Sequence, residues 1–350
     1  SFTAPPSSSR LPMAAASPGR PRSWRPPALR RLLLAPALLL QASSGLLARD
    51  DVLQERNLPA VPAYESFEEF KSNFHEMKAL DGRASEPMPA KVQLALGVFT
   101  IPAEQPYRQV ARETWMRQTG VCSLTGGQRK GCSVYAAFVV GDRGTGKLRG
   151  ELRSLAHSVK GDARKEENML VLNVTENINE GKTFEYFRLI AEKYPWITHV
   201  AKCDMDSYPI LHKLVHKIHQ QSLCEQTPYV YAGRPQSCGP HGCDGMLKAA
   251  STHICPASNG CSRTDRPFTH NLGQFYVMSM PLVREIAIPG GAWQQPPKLT
   301  HEDVVAGHAV DTFARARAAE HAGSCISVWH PEAWCHRGVC RGGSSFFTNF

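Results

Sequence analysis

A chain of 350 residues, 42% hydrophobic and 20% charged, has the composition of a globular protein of one large or two average domains, which excludes a wholly disordered chain and a many-pass membrane protein. The formal charge of +9 is concentrated at one end: seven arginines (Arg10, Arg20, Arg22, Arg25, Arg30, Arg31 and Arg49) and no acid lie in residues 1–49, leaving +2 for the rest. A nucleic-acid surface needs its basic side chains on the folded body, so this distribution argues against nucleic acid as a partner.

Residues 1–31 are rich in Pro, Ser and Arg and are expected to form a disordered basic tail, because that composition offers too little apolar surface to bury. Residues 32–48 are seventeen positions without a charge, at the short end of what spans a bilayer. The arginines before them place the N-terminal side in the cytosol. Two readings stand: a single signal-anchor with a lumenal body, or a signal peptide cut near residues 42–45. Residues 49–91 read as a stem with one short helix. Ser66-x-x-Glu69 is a capping box, and Phe67, Phe70, Phe74 and Met77 recur at helical spacing until Asp81-Gly82 and the prolines Pro87 and Pro89.

From residue 92 strands and helices alternate. The apolar run at 92–101 reads as a buried strand and those at 134–140, 169–174 and 196–203 as further strands; 104–117, 182–194 and 210–219 read as helices. This βαβ rhythm predicts an α/β domain over residues 92–350 with a mostly parallel sheet covered on both faces. Ligands in such folds sit at the carboxyl ends of the strands.

All eleven cysteines follow residue 120, as in a lumenal, oxidised body. Cys238/Cys243, Cys255/Cys261, Cys335/Cys340 and Cys122/Cys132 are the short-range pairs. His241 and His253 among the first of these leave a zinc site as an alternative. The odd total leaves one thiol over, and Cys203 is the candidate because it falls in a buried strand. Asn173-Val174-Thr175 is a glycosylation sequon.

The fourth strand runs through Lys202 into Asp204-Met205-Asp206. Carboxylates at i and i+2 after a strand can converge on one hard cation, Mn2+ or Mg2+, and a diphosphate held by it; the alternative is a solvated turn. A second acidic pair, Glu302-Asp303, opens a helix that Thr300 could cap. It reads either as a catalytic base facing that cation or as anions placed to suit the helix dipole.

These residues belong to an ordered set of blocks. Arg108-x-x-Ala111-Arg112-Glu113-Thr114-Trp115, Phe138-Val139-Val140-Gly141, Glu176 through Gly181-Lys182-Thr183, Lys202-x-Asp204-Met205-Asp206, Tyr231-Ala232-Gly233, Gly273-Gln274-Phe275-Tyr276-Val277 and Glu302-Asp303-Val304 with Gly307 keep one order within residues 93–310. The set resembles the β1,3-galactosyltransferase family (glycosyltransferase family 31), with a divergence similar to its protozoan members such as the phosphoglycan β1,3-galactosyltransferases. The resemblance implies a GT-A (Rossmann-like) nucleotide-sugar transferase fold. It implies inverting transfer of galactose or N-acetylglucosamine from a UDP-sugar donor to a glycan acceptor, forming a β1,3 linkage with Mn2+ or Mg2+ as cofactor. Asp303 is then the expected base beside Glu302. Arg108, Arg112, Trp115, Lys182, Lys202 and Asp204 are the expected donor-binding residues, and Asp206 with a late histidine, His330 or its rival His336, the expected metal ligands. The expected location is the Golgi membrane, single-pass type II with a lumenal catalytic domain.

Departures from the pattern are Met116 after Trp115, Met205 in place of the middle carboxylate, Gln274 and Phe275 in the glycine cluster, and a Cys-rich insertion near 236–266. They leave two alternatives: a catalytically inactive lumenal glycan-binding or scaffold protein on the same fold, and a metal-dependent hydrolase using Asp204 and Asp206.

Overall fold

The apolar run after residue 92 forms β1 (Leu94–Phe99), every residue of which is buried. That is the signature of an inner parallel strand covered on both faces. The computed structural model describes residues 66–143, 166–224, 227–236, 270–295, 301–320 and 326–337. The expected tail at 1–31, the apolar segment at 32–48, the Cys-rich stretch beyond Gln236, Thr300 and Cys340 lie outside these residues.

The elements follow in order: α1 (Phe67–Leu80), β1, α2 (Gln105–Glu113), β2 (Val121–Ser123), β3 (Val134–Arg143), β4 (Met169–Thr175), α3 (Thr183–Lys193), β5 (His199–Asp204), β6 (Ser207–Pro209), α4 (Leu211–Cys224), β7 (Val230–Gln236), β8 (His270–Ser279), α5 (Met280–Ile286), α6 (Glu302–Glu320), β9 (Ser327–Trp329) and β10 (Trp334–His336). An eight-stranded sheet runs β2-β3-β1-β5-β8-β7-β9, with β4 sharing the outer edge of β3 with β2. β1 pairs parallel with β3 and β5, whereas β8 is antiparallel to both β5 and β7. The sheet is therefore the mixed α/β, mostly parallel one expected of a GT-A-like fold. A second, two-stranded sheet pairs β6 with β10, setting Ser207 opposite His336.

Two cores cover the two faces. Phe70 and Phe74 of α1, Val110 and Ala111 of α2, and Leu211, Leu214 and Val215 of α4 pack on one face; Phe184, Phe187 and Ile190 of α3, Leu282 and Val283 of α5, and Ala306 and Val310 of α6 pack on the other. α1 begins as its sequence predicts, with Ser66 Oγ accepting from the Glu69 backbone N–H at 3.1 Å. Its Phe70 and Phe74 rings stack 4.2 Å apart and are wholly buried, so truncating either to alanine should cost about 3–5 kcal/mol. On the second face Tyr186 lies directly over β1. A Cβ on Gly97 would fall 2.5 Å from its ring, so only glycine lets the helix approach this closely.

The helix expected over 104–117 breaks at Thr114, whose hydroxyl donates back to the Val110 carbonyl at 2.7 Å. A 3-10 turn (Trp115–Arg117) follows and carries the Trp115 ring into the core. The helix expected from Lys182 starts one residue later, after a kinked turn with Gly181 at φ +88°. Cys122 and Cys132 form a disulfide, Cys335 is disulfide-bonded, and Cys203 is a free, buried thiol.

Candidate active site

Residues of β5 alternate between the two faces of the sheet, as strand geometry requires. Cys203 and the following Met205 join the core beneath α1, α2 and α4, while Lys202 turns the other way, beneath the rings of Phe99 and Tyr276 at 5.4 and 5.8 Å. Met205, between the two aspartates, therefore faces the core and is 5% exposed.

Lys202 is wholly buried and is the hub of the cluster. Its Nζ lies 2.6 Å from Asp204 Oδ1 and 2.8 Å from Glu302 Oε1, and it donates to the Gly273 carbonyl. Gly273 also donates its N–H to Asp303 Oδ2 at 2.9 Å, and the Val304 N–H donates to Asp303 Oδ1 at 2.8 Å. Tyr276 O–H donates to Glu302 Oε2 at 3.1 Å. A Cβ at Gly273 would meet Glu302 Oε1 at 2.9 Å, so this glycine is what lets β8 pass against the first turn of α6. The end of β5 and the start of α6, about a hundred residues apart in sequence, are thus joined through one ammonium and one glycine.

The charges do not balance locally. One ammonium faces Asp204 and Glu302, with Asp303 beside them. Burial pushes the Glu302 carboxyl up to about 7 against the pull of Lys202, and Asp303 adds to the rise. Burial likewise raises Asp204 despite Lys202. Burial alone would discharge Lys202, but Asp204 and Glu302 push its pKa above the ordinary lysine value, so it stays an ammonium.

A second cluster surrounds the carboxyl ends of β1, β3 and β4. Lys182, buried, donates to the Thr100 carbonyl at 2.8 Å and to Glu176 Oε1 at 2.5 Å. Glu176 Oε2 accepts from the Gly141 N–H. Burial lowers the Lys182 pKa against the opposing pull of Glu176. Lys182 thus ties the end of β1 to the end of β4. Arg108 pairs with Glu166 at 2.6 Å and donates to the Ile101 and Pro102 carbonyls at 2.7 and 3.2 Å. Arg112 pairs with the same carboxylate at 2.9 Å. Burial opposes the ionised form of Glu166, yet the two guanidiniums hold it below the usual carboxylate value. The two arginines expected at the donor stand at the mouth of the sheet, with Glu166 between them. Trp115, also expected there, is a core residue, 1% exposed.

Asp206 lies beyond the end of β5. Its Oδ1 is 3.4 Å from His336 Nδ1, and its Oδ2 is 3.5 Å from Arg337 Nε. The β6–β10 pairing creates this meeting, since it sets Ser207 opposite His336. His330 packs on the Trp334 ring, 5.2 Å between centroids. The late histidine that the structure brings to Asp206 is the rival, His336, in place of His330. Among the described residues no group of three or more His, Cys, Asp and Glu side chains is gathered to hold a metal ion. Asp206 and His336 offer one carboxylate oxygen and one imidazole nitrogen, a donor pair that suits Mn2+ if ligand oxygens complete the shell. Gly273, Tyr276, Glu176 and Glu166 carry roles that spacing alone did not assign. The blocks marked Gly273, Tyr276 and Glu176 in sequence without giving them roles, and Glu166 lies in none of them.

A family model described as Galactosyltransferase matches residues 106–317. The match takes in Arg108, Lys182, Lys202, Asp204, Asp206, Glu302 and Asp303 and ends before His336. No curated protein matches the chain.

Proposed function

Because the chain belongs to the galactosyltransferase family, and so is a glycosyltransferase, we propose that it moves galactose or N-acetylglucosamine from a UDP-sugar to a glycan hydroxyl with inversion, forming a β1,3 linkage. The observation that carries this reading is the junction at Lys202 and Gly273, which holds Asp204 and the Glu302-Asp303 pair against one another.

The two acids divide the work by their surroundings. Glu302 spends one oxygen on Lys202 and the other on Tyr276, and its side chain is 9% exposed; it positions. Asp303 takes one backbone N–H on each oxygen, which fixes the carboxylate and leaves further lone pairs for the proton of an attacking hydroxyl. Asp303 is therefore the general base. Lys202 holds Asp204 in place for the nucleotide side. Asp206 and His336 would hold Mn2+, and the ion, when bound, supplies positive charge to the departing diphosphate. The experiment that tests this reading measures UDP release from UDP-galactose and UDP-N-acetylglucosamine, with and without Mn2+, on wild type and Asp303→Asn.

The proposed setting is a Golgi membrane, with residues 32–48 as anchor and the body lumenal. Exposed Asn173 on β4, whose Oδ1 accepts from Arg143 Nε at 3.0 Å, and the Cys122–Cys132 disulfide support a lumenal body. Among the described residues no helix is long and apolar enough to cross a membrane.

A further inference from the structure

Arg337 follows β10 directly. Its Nε lies 3.5 Å from Asp206 Oδ2, while His336 faces the other oxygen of that carboxylate, and its backbone N–H donates to the Asp206 carbonyl at 3.2 Å. Its φ is +48°, in the left-handed region that an arginine enters only at a cost. A glycine would make this turn without strain, so the backbone does not ask for an arginine. The ion pair does not offset the strain either, because the arginine side chain is 54% exposed and exposed pairs contribute little. Backbone strain that local contacts leave unexplained is found most often where a ligand is held.

The other cations at this end of the sheet are committed. Lys202 is taken by Asp204 and Glu302, Lys182 by Glu176, and Arg108 and Arg112 by Glu166, at 2.5–2.9 Å and with side chains 0–15% exposed. The Arg337 pair is longer and its side chain meets solvent, so swinging off Asp206 loses little. A guanidinium carries paired N–H donors whose geometry matches two phosphate oxygens. As the acceptor oxygen bonds to the anomeric carbon of the sugar and gives its proton to Asp303, the bond from that carbon to the diphosphate breaks. Its electron pair stays on the phosphate oxygen, and a cation within reach of that oxygen stabilises the charge.

We propose that Arg337 is a diphosphate-binding residue that leans on Asp206 until a donor arrives and then turns its guanidinium to the departing diphosphate, a role that rests on the transferase reading above. The test uses the full chain as wild type, Arg337→Gly and Arg337→Lys. UDP is titrated by calorimetry with Mn2+ in excess, and Mn2+ alone is titrated by the EPR signal of the free ion. Arg337→Gly suits the left-handed turn, so it should melt no lower than wild type. Its UDP affinity should fall about tenfold, the lower end for hydrogen bonds to a charged group, and Arg337→Lys should recover part of the loss because it keeps the charge without the fork. Mn2+ alone should bind Arg337→Gly about two- to fivefold more tightly, because a like charge has left the side of Asp206. The opposite signs separate this role from a structural one: an arginine that only held Asp206 in place would weaken both ligands when removed. UDP affinity equal in Arg337→Gly and wild type, or Mn2+ binding that is not tightened, would overturn the role of Arg337 and leave the transferase reading standing. Absence of UDP binding by wild type would overturn both.

Discussion

Replacing Glu302 by glutamine should change how stability depends on pH. In the unfolded chain the Glu302 carboxyl titrates at 4.5, and in the folded protein burial moves it to about 7. Between those values the folded state holds a proton that the unfolded state has lost. The favourable contribution is therefore complete below pH 4.5, declines as pH rises, and is gone above about 7. At 1.36 kcal/mol per pKa unit the span amounts to about 3 kcal/mol. Glutamine keeps an oxygen for Lys202 and a hydrogen-bonding group for Tyr276 but has no proton to lose. Urea unfolding of wild type and Glu302→Gln at closely spaced pH values reads the effect of this carboxyl and the groups coupled to it, because groups away from the cluster, His199 included, titrate alike in both. The variant should gain on wild type by about 3 kcal/mol from pH 4.5 to about 7 and hold that gain above it. Stability curves that run parallel through the window would refute the argument that burial outweighs Lys202 at this carboxylate.

Asp303→Asn should cut transfer by about 10²–10⁴-fold while nucleotide binding survives, as loss of a positioned base requires. If Asp303 only serves the helix terminus, the same variant would instead lose about 0.3–1 kcal/mol of stability and keep its turnover, so rate and melting temperature are read together. Mn2+-dependent UDP binding, followed by thermal shift, should be lost in His336→Ala and retained in His330→Ala, since His336 is the histidine set 3.4 Å from Asp206. Gly273→Ala should destabilise the protein by about 1–3 kcal/mol in denaturant unfolding, because the added methyl must displace Glu302 or β8.

Local periodicity found the elements that local rules govern. The capping box at Ser66, the apolar runs of β1, β3 and β4, and the short-range Cys122–Cys132 pair needed only neighbouring residues. The antiparallel insertion of β8 between β5 and β7 carries no such local signal, because strand pairing across long connections is a property of the whole sheet. The site divides in the same way. Lys202, Asp204, Glu302 and Asp303 were named from their motifs, and the fold brings them together. Trp115 and Lys182 belong to the same motifs and are buried, the first in the core and the second between Thr100 and Glu176, which spacing in the sequence did not show. His336 could not be preferred over His330 in sequence, since its place beside Asp206 depends on a β6–β10 pairing between segments more than a hundred residues apart.

The central claim is tested most directly by the anomeric outcome of a single reaction. Wild-type protein incubated with UDP-galactose or UDP-N-acetylglucosamine, Mn2+ and an acceptor glycoside should yield a disaccharide whose new linkage is β, read by proton NMR, and the yield should collapse in Asp303→Asn. An α-linked product, or release of free hexose with no disaccharide from either donor, would contradict it.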